Sequence, residues 1–180
     1  MEELEELLEK SVLEGFLELF DEPSNLKDFE TYYSTLTRWA KDNIEVFSST
    51  ILNNTRLDVL LDVDPKEYIV EYPEISLSME KDRMKFSKPD EVTASILAMS
   101  IADTLWELVT LRSGKDCPVC IYSELRYFIA QIREAKTRKI ALECETCGWT
   151  EKLDGTEWDE GLIDEFPANK EDLMKEGIFI

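Results

Sequence analysis

Histidine is absent from all 180 residues. That removes the commonest acid–base group at neutral pH, the Ser-His-Asp and Cys-His nucleophile arrangements, and any histidine-ligated metal. Glycine is scarce, with six in all, and no GxGxxG or Walker-type loop is present to cradle a phosphate. No export leader is expected either: residues 1–20 are amphipathic and rich in glutamate, whereas a leader starts basic and continues as an apolar run. The most apolar stretch, 94–111, is too short for a bilayer and carries Asp103 and Glu107. The expectation is a cytoplasmic, non-enzymatic chain with no membrane span.

Positive charge is also in short supply. Lys and Arg number 20 against 40 Asp and Glu, a net charge of −20. In so acidic a chain, neighbouring carboxylates are read as solvated faces rather than catalytic dyads. The imbalance is uneven. Residues 1–30 hold eleven acids and two bases, residues 31–112 fourteen and nine, residues 113–153 six and seven, and residues 154–180 nine and two. Such a field repels nucleic acid and anionic membranes and accelerates encounter with basic proteins. The acidity either simply keeps the chain soluble or serves a basic protein partner, as for an inhibitor or immunity-type protein that neutralises a toxin or nuclease. Its candidate contacts are Glu2, Glu3, Glu5 and Glu6 at one end and Asp154, Glu157, Asp159 and Glu160 near the other.

Hydrophobic residues make up 43% of the chain, enough for a real core. Leu4, Leu8, Val12, Phe16 and Phe20 recur every four residues and predict a first helix over 2–20. A second helix, capped by Ser24 or Asn25, carries Leu26, Phe29, Tyr33, Leu36, Ala40, Ile44, Phe47 and Ile51 and stops at Asn53-Asn54. Ile75, Leu77 and Met79 alternate with polar residues, which predicts a small β hairpin around 66–86. Ser87, Pro89 and Asp90 mark the start of a third helix that runs to Leu111 and is apolar on most sides, so it belongs in the middle of the fold. Its Thr93, Ser100, Asp103, Thr104, Glu107 and Thr110 form a stripe read as the solvent face.

Past Ser113-Gly114, which breaks that helix, stand two CxxC pairs, Cys117-Pro118-Val119-Cys120 and Cys144-Glu145-Thr146-Cys147-Gly148. Four cysteines in a reducing compartment favour metal over disulfides. A thioredoxin-like redox pair needs one CxxC at a helix start, not two in strand-like surroundings. An iron–sulfur centre accepts four thiolates as well, with no distinguishing spacing here. One structural zinc ion held by Cys117, Cys120, Cys144 and Cys147 is the favoured expectation, and with four protein ligands no position is left for a catalytic water. The 23 intervening residues suit a hairpin: Leu125, Tyr127 and Ile129 alternate on the way out, and Ile140 and Leu142 on the way back. Residues 149–153 add a third short strand.

Residues 115–153 resemble the zinc-ribbon superfamily, in which two CxxC knuckles at the ends of β-hairpins bind a tetrahedral zinc. The resemblance implies a ribbon and a metal but no single function, because ribbons serve in polymerase subunits, transcription factors, ribosomal proteins and adaptors. It also brings the alternative of a nucleic-acid-binding or transcription-associated factor. That alternative rests on Arg133, Lys136, Arg138 and Lys139 at the hairpin tip, which could meet phosphates. Against it, the −20 background opposes phosphate contact, and the same residues make an ordinary charged turn that pairs with the chain's own acids. The tail mixes acids with Trp158, Leu162, Ile163, Phe166, Leu173 and 178–180, a composition that suits either docking on a partner or packing back on the chain. The expected fold class is α+β: a mainly helical domain over 1–112, a four-cysteine zinc ribbon over 113–153 and an acidic C-terminal segment over 154–180.

Overall fold

The computed structural model describes residues 7–21, 28–68 and 92–178. The fold is mixed α+β, with helices in the N-terminal part and a five-stranded antiparallel sheet in the C-terminal part. Two compact units result. Among the described residues, the first comprises 7–65 and 92–108, and the second comprises 66–68 and 109–178. The expected hairpin around 66–86 lies mostly outside the described residues, as do Ser87, Pro89 and Asp90. No helix among the described residues is long and apolar enough to cross a membrane.

In the helical unit, α1 (Lys10–Glu18) buries Leu13 and Phe16, and Phe20 just beyond it is buried as well. This helix is shorter than the leucine spacing predicts. Leu7 instead forms an isolated antiparallel bridge with Thr93, and the Leu8 N–H donates to the Val92 carbonyl. Extended backbone there satisfies its groups across the chain rather than along a helix. Helix α2 (Phe29–Asp42) starts at Asp28, whose carboxylate accepts from the Thr31 N–H at 2.8 Å. Its Trp39 meets Phe16 edge-on at 5.0 Å between ring centroids, and Tyr32 meets Phe20 at 6.3 Å.

The single long second helix expected from periodicity is interrupted. Asn43 turns its side-chain amide back to the Trp39 carbonyl at 2.9 Å, a 3₁₀ turn follows at Ile44–Val46, and Ser48 caps a new helix, α3 (Ser49–Thr55), by accepting from the Ile51 N–H. Arg56, at φ 59, then redirects the chain into α4 (Leu57–Leu61). The breaks let Leu57, Leu60 and Leu61 turn inward, and the Tyr33 hydroxyl bonds the Leu60 carbonyl at 2.5 Å.

Helix α5 (Ala94–Leu108) packs against α2, α3 and α4, the central position its composition predicts. Its polar stripe departs from the expected solvent face. Asp103 is exposed and Glu107 half-buried, but Ser100 and Thr104 are buried, and the Thr104 hydroxyl is satisfied by the Ser100 carbonyl at 2.9 Å. A small hydroxyl that bonds its own helix can be buried cheaply, whereas a carboxylate cannot.

The sheet unit consists of β1 (Arg112–Asp116), β2 (Glu124–Ile132), β3 (Arg138–Glu143), β4 (Thr150–Lys152), β5 (Ile163–Pro167) and a final helix α6 (Lys170–Lys175). Strand β2 is the spine. Its one edge pairs with β3, which in turn pairs with β4. Its other edge is shared in succession by β1, along residues 124–126, and β5, along residues 128–132. Register places Tyr127 opposite Leu142 and Ile129 opposite Ile140, so the alternation visible in the sequence forms one continuous apolar face. At one end of that face Leu125 and Leu142 pack on Cys117 and Cys144; at the other, Ile129 and Ile140 pack on Ala168 and Leu173, with Phe166 and Ile178 against them. The acidic tail thus supplies a strand and a helix to the sheet unit, and Ile178 packs on the chain itself.

Candidate metal centre

Each CxxC pair sits in a tight turn at the end of a strand. In the first turn the Cys117 N–H donates to the Ser123 carbonyl at 2.9 Å, and the Ile121 N–H donates back to the Cys117 carbonyl at 3.1 Å. In the second, the Cys144 N–H donates to the Trp149 carbonyl at 2.8 Å, and the Gly148 N–H donates to the Cys144 carbonyl at 2.9 Å. The fourth residue after the first cysteine adopts a left-handed conformation in both turns, φ 55 at Ile121 and φ 71 at Gly148. Glycine is the natural occupant of that conformation, because an L side chain crowds the following carbonyl there. The hydroxyls of Ser123 and Thr146 bond each other and tie the two turns together.

The four ligand sulfurs lie within 4.8 Å of one another. Across the turns Cys117 Sγ is 3.6 Å from Cys147 Sγ, and Cys120 Sγ is 3.5 Å from Cys144 Sγ. None of the four is in a disulfide. A tetrahedral centre with Zn–S bonds of about 2.3 Å holds its sulfurs roughly 3.8 Å apart, so the donor set and its spacing are compatible with one structural zinc ion. The Val119 N–H donates to Cys117 Sγ at 3.4 Å. Cys117 and Cys144 are buried, Cys120 half-buried and Cys147 exposed.

Cys117 and Cys147 are pushed in opposite directions. Burial alone would raise Cys117, but the backbone N–H groups of Cys120 and Val119 and the thiols of Cys147 and Cys144 stabilise its thiolate and bring it down to about 6. For Cys147 the Trp149 N–H favours the thiolate, yet desolvation and the three other cysteines outweigh it and push the thiol up to about 12. Four sulfurs this close cannot all ionise without a cation among them, and a divalent cation at their centre removes that conflict. Among the described residues this is the one group of three or more potential ligands gathered tightly enough to hold an ion.

The sequence-predicted surface residues are dispersed among internal partners. Lys152 pairs with Asp159 at 2.5 Å and with Glu160 at 3.4 Å, and Lys139 pairs with Glu160 at 2.5 Å. Asp154 accepts from the N–H and hydroxyl of Thr156, and Glu157 bridges to Glu151 through the backbone. Arg133 pairs with Asp164 at 2.9 Å, and Arg138 bonds Gln131 while lying over the Phe166 ring at 4.8 Å. Lys136 is exposed in the β2–β3 turn at φ 52. Glu2, Glu3, Glu5 and Glu6 lie outside the described residues. Near the cysteine site, sequence reasoning missed Glu151, a carboxylate buried beside the cysteine turns, and strand β1. Neither carries a local signal, because each depends on a partner far away in the chain.

Comparison with protein families, curated proteins and solved structures finds no match in any of the three. The likeness to a zinc ribbon therefore rests on the cysteine turns and the hairpin between them.

Proposed function

We propose that this chain is a non-enzymatic zinc protein that presents a preformed surface to a basic protein partner, in the manner of an inhibitor or immunity-type protein that neutralises a cationic toxin or nuclease. The observation that supports the zinc reading is the gathering of the four sulfurs of Cys117, Cys120, Cys144 and Cys147 within 4.8 Å, at S···S separations near those of a tetrahedral thiolate site. With four protein ligands the ion is structural: it ties β1 and β2 at one knuckle to β3 and β4 at the other, and its binding energy is folding energy. The partner reading is supported by the net charge of −20, which speeds encounter with cationic proteins, and by the lack of any histidine for catalysis.

The nucleic-acid alternative has less to draw on. Of Arg133, Lys136, Arg138 and Lys139, two are in ion pairs with the tail and a third lies against Phe166 and Gln131, so a phosphate would compete with groups already in place.

Elemental analysis of the purified chain should give one zinc per polypeptide. A chain bearing an affinity tag should retain a basic protein at low salt and release it as ionic strength rises. No retention under any salt condition overturns the partner reading, and absence of bound metal overturns the zinc reading.

A further inference from the structure

The two cysteine turns share a backbone conformation, and this makes one side chain stand out. Gly148 fills the left-handed position of the second turn at no steric cost, but the same position in the first turn holds the β-branched Ile121 at φ 55. The Ile121 side chain is 73% exposed, so it returns nothing to the core in exchange for that conformation. It does not stand alone: Val119 is 59% and Tyr122 85% exposed on the same short turn. Three large apolar side chains exposed on one short cysteine turn make an apolar tip, and strain retained without internal benefit is the kind of outlier that points to function.

The charge around this tip specifies its counterpart. Residues 113–126 and 143–151, which form the metal end of the sheet unit, hold five acids (Asp116, Glu124, Glu143, Glu145, Glu151) and two bases (Lys115, Arg126). Lys115 pairs with Glu151 and Arg126 with Glu143 and Glu145; Glu143 and Glu151 are buried, which leaves Asp116, Glu124 and Glu145 at least partly exposed to solvent. Four thiolates around one divalent cation add a further charge of −2, with Cys147 exposed at the surface. The apolar tip therefore sits beside an anionic collar made by these three acids and the thiolate site. A second copy of the chain would bring the same anionic collar against it, and three side chains bury far less than a stable dimer needs. An anionic membrane is repelled for the same reason.

We propose that Val119, Ile121 and Tyr122 form the anchor by which the chain enters an apolar pocket rimmed by Lys and Arg on a partner protein. This rests on the basic-partner reading above and names the surface that carries it. Small rigid aromatic and aliphatic anchors in a desolvated pocket dominate interface energetics, while the surrounding charges set encounter rate and orientation.

The test places a photo-crosslinking phenylalanine analogue at position 122 of the full zinc-loaded chain, and separately at exposed Glu134 in the far turn, in the native cytosol. The crosslinked protein is identified by its peptides and purified, and its affinity is then measured against wild type, Ile121→Gly and Tyr122→Ala. The expected result is a crosslink from 122 and not from 134, onto a segment rich in Lys and Arg, with affinity falling at least about tenfold in each variant. Zinc content should be unchanged in both, which excludes misfolding as the cause. A basic protein crosslinked from 134 alone, or bound equally by both variants, overturns this anchor while leaving the basic-partner reading intact. A lipid or a second copy of the chain as the product of 122 overturns it as well. No crosslink from either position, with no basic protein retained at low salt, overturns both.

Discussion

Lys115 on β1 and Glu151 on β4 form an ion pair at 2.5 Å, and the Glu151 side chain is only 1% exposed. The Trp149 indole N–H holds the other carboxylate oxygen at 3.1 Å. The pair thus joins two strands that have no backbone pairing with each other, beside the cysteine turns. Removing one member strands a buried charge, which costs far more than the pair itself contributes. Lys115→Met should lower stability by about 2 kcal/mol, a figure reduced for the partial exposure of the lysine. Glu151→Gln should cost less, because the neutral amide can still accept from Trp149. Urea denaturation of the zinc-loaded proteins checks the order. A larger loss in Glu151→Gln than in Lys115→Met would contradict it.

Cysteine loss should be the severest change in the sheet unit. Cys120→Ser or Cys144→Ser leaves three thiolates, and structural zinc sites of this kind contribute about 10–16 kcal/mol of binding energy at neutral pH. Each variant should carry less than one zinc per chain and lose the protection of β2 and β3 amides in hydrogen exchange. A strong chelator should reproduce the effect in wild type, and added zinc should reverse it. Full metal content in either variant would disprove the ligand assignment.

Relief of backbone strain should be measurable in the opposite direction. Ile121→Gly replaces a left-handed β-branched residue that has little to pack against, and should stabilise the zinc-loaded unit by roughly 1 kcal/mol. Gly148→Ala places a side chain at the matching φ of 71 and should destabilise it by a similar amount. The space around Gly148 is open, so the cost is conformational rather than steric against a neighbour. Thermal denaturation of the pair decides the matter, and equal shifts of the same sign would contradict it.

Acidification should loosen the segment that follows β4. The hydrogen bond from Lys152 holds Asp159 below the usual carboxylate range, the one from Lys139 does the same for Glu160, and the Thr156 hydroxyl and N–H do so for Asp154. Groups with depressed folded values stabilise above their ordinary pKa, and that contribution disappears as pH falls through the folded values. Lys152 is raised by the same partners, so its share is present below its ordinary value and is lost only as pH rises past the folded one. The clamp is therefore complete through neutral pH and fails on the acid side below about pH 4. Trp158 fluorescence should report the change, since its indole N–H bonds the Gly161 carbonyl within this loop. Asp159→Asn with Glu160→Gln should flatten the acid-side response, and an unaltered profile would refute the clamp.

The final helix depends on its cap. Asn169 accepts from the Asp172 N–H at 2.9 Å while Asp172 accepts from the Asn169 N–H at 3.3 Å, a reciprocal capping box on a helix of only six residues. Asn169→Ala should cost about 1 kcal/mol and free Leu173 from Ile129 and Ile140. Faster hydrogen exchange confined to 169–178 is the expected signature.

Legibility followed the range of the interactions. The alternation of Leu125, Tyr127 and Ile129 with Ile140 and Leu142 announced the hairpin because strand periodicity is local and one face had to be buried. The doubled CxxC announced the cysteine cluster because two such pairs at this spacing are a strong signal for four thiolates gathered around one metal ion. Periodicity was misleading where polar side chains intervened: Asn43 and Ser48 offered the backbone alternative bonds and cut one apparent helix into several. For residues 154–180 the mix of acids and aromatics left both docking on a partner and packing on the chain open, and only the tertiary structure shows Ile163–Pro167 on the free edge of β2, with Lys139 and Lys152 pairing with Glu160 and Asp159.

What the chain determined by itself, then, is its class, its helical beginning, its cysteine ligand set and its acidity, all of which follow from local pattern and side-chain chemistry. Tertiary structure alone decided which charges meet, which strand takes the second edge of β2, and that Ile121 stands exposed where Gly148 has its counterpart. Those outcomes depend on residues far apart in sequence arriving at the same place, and no local periodicity encodes that.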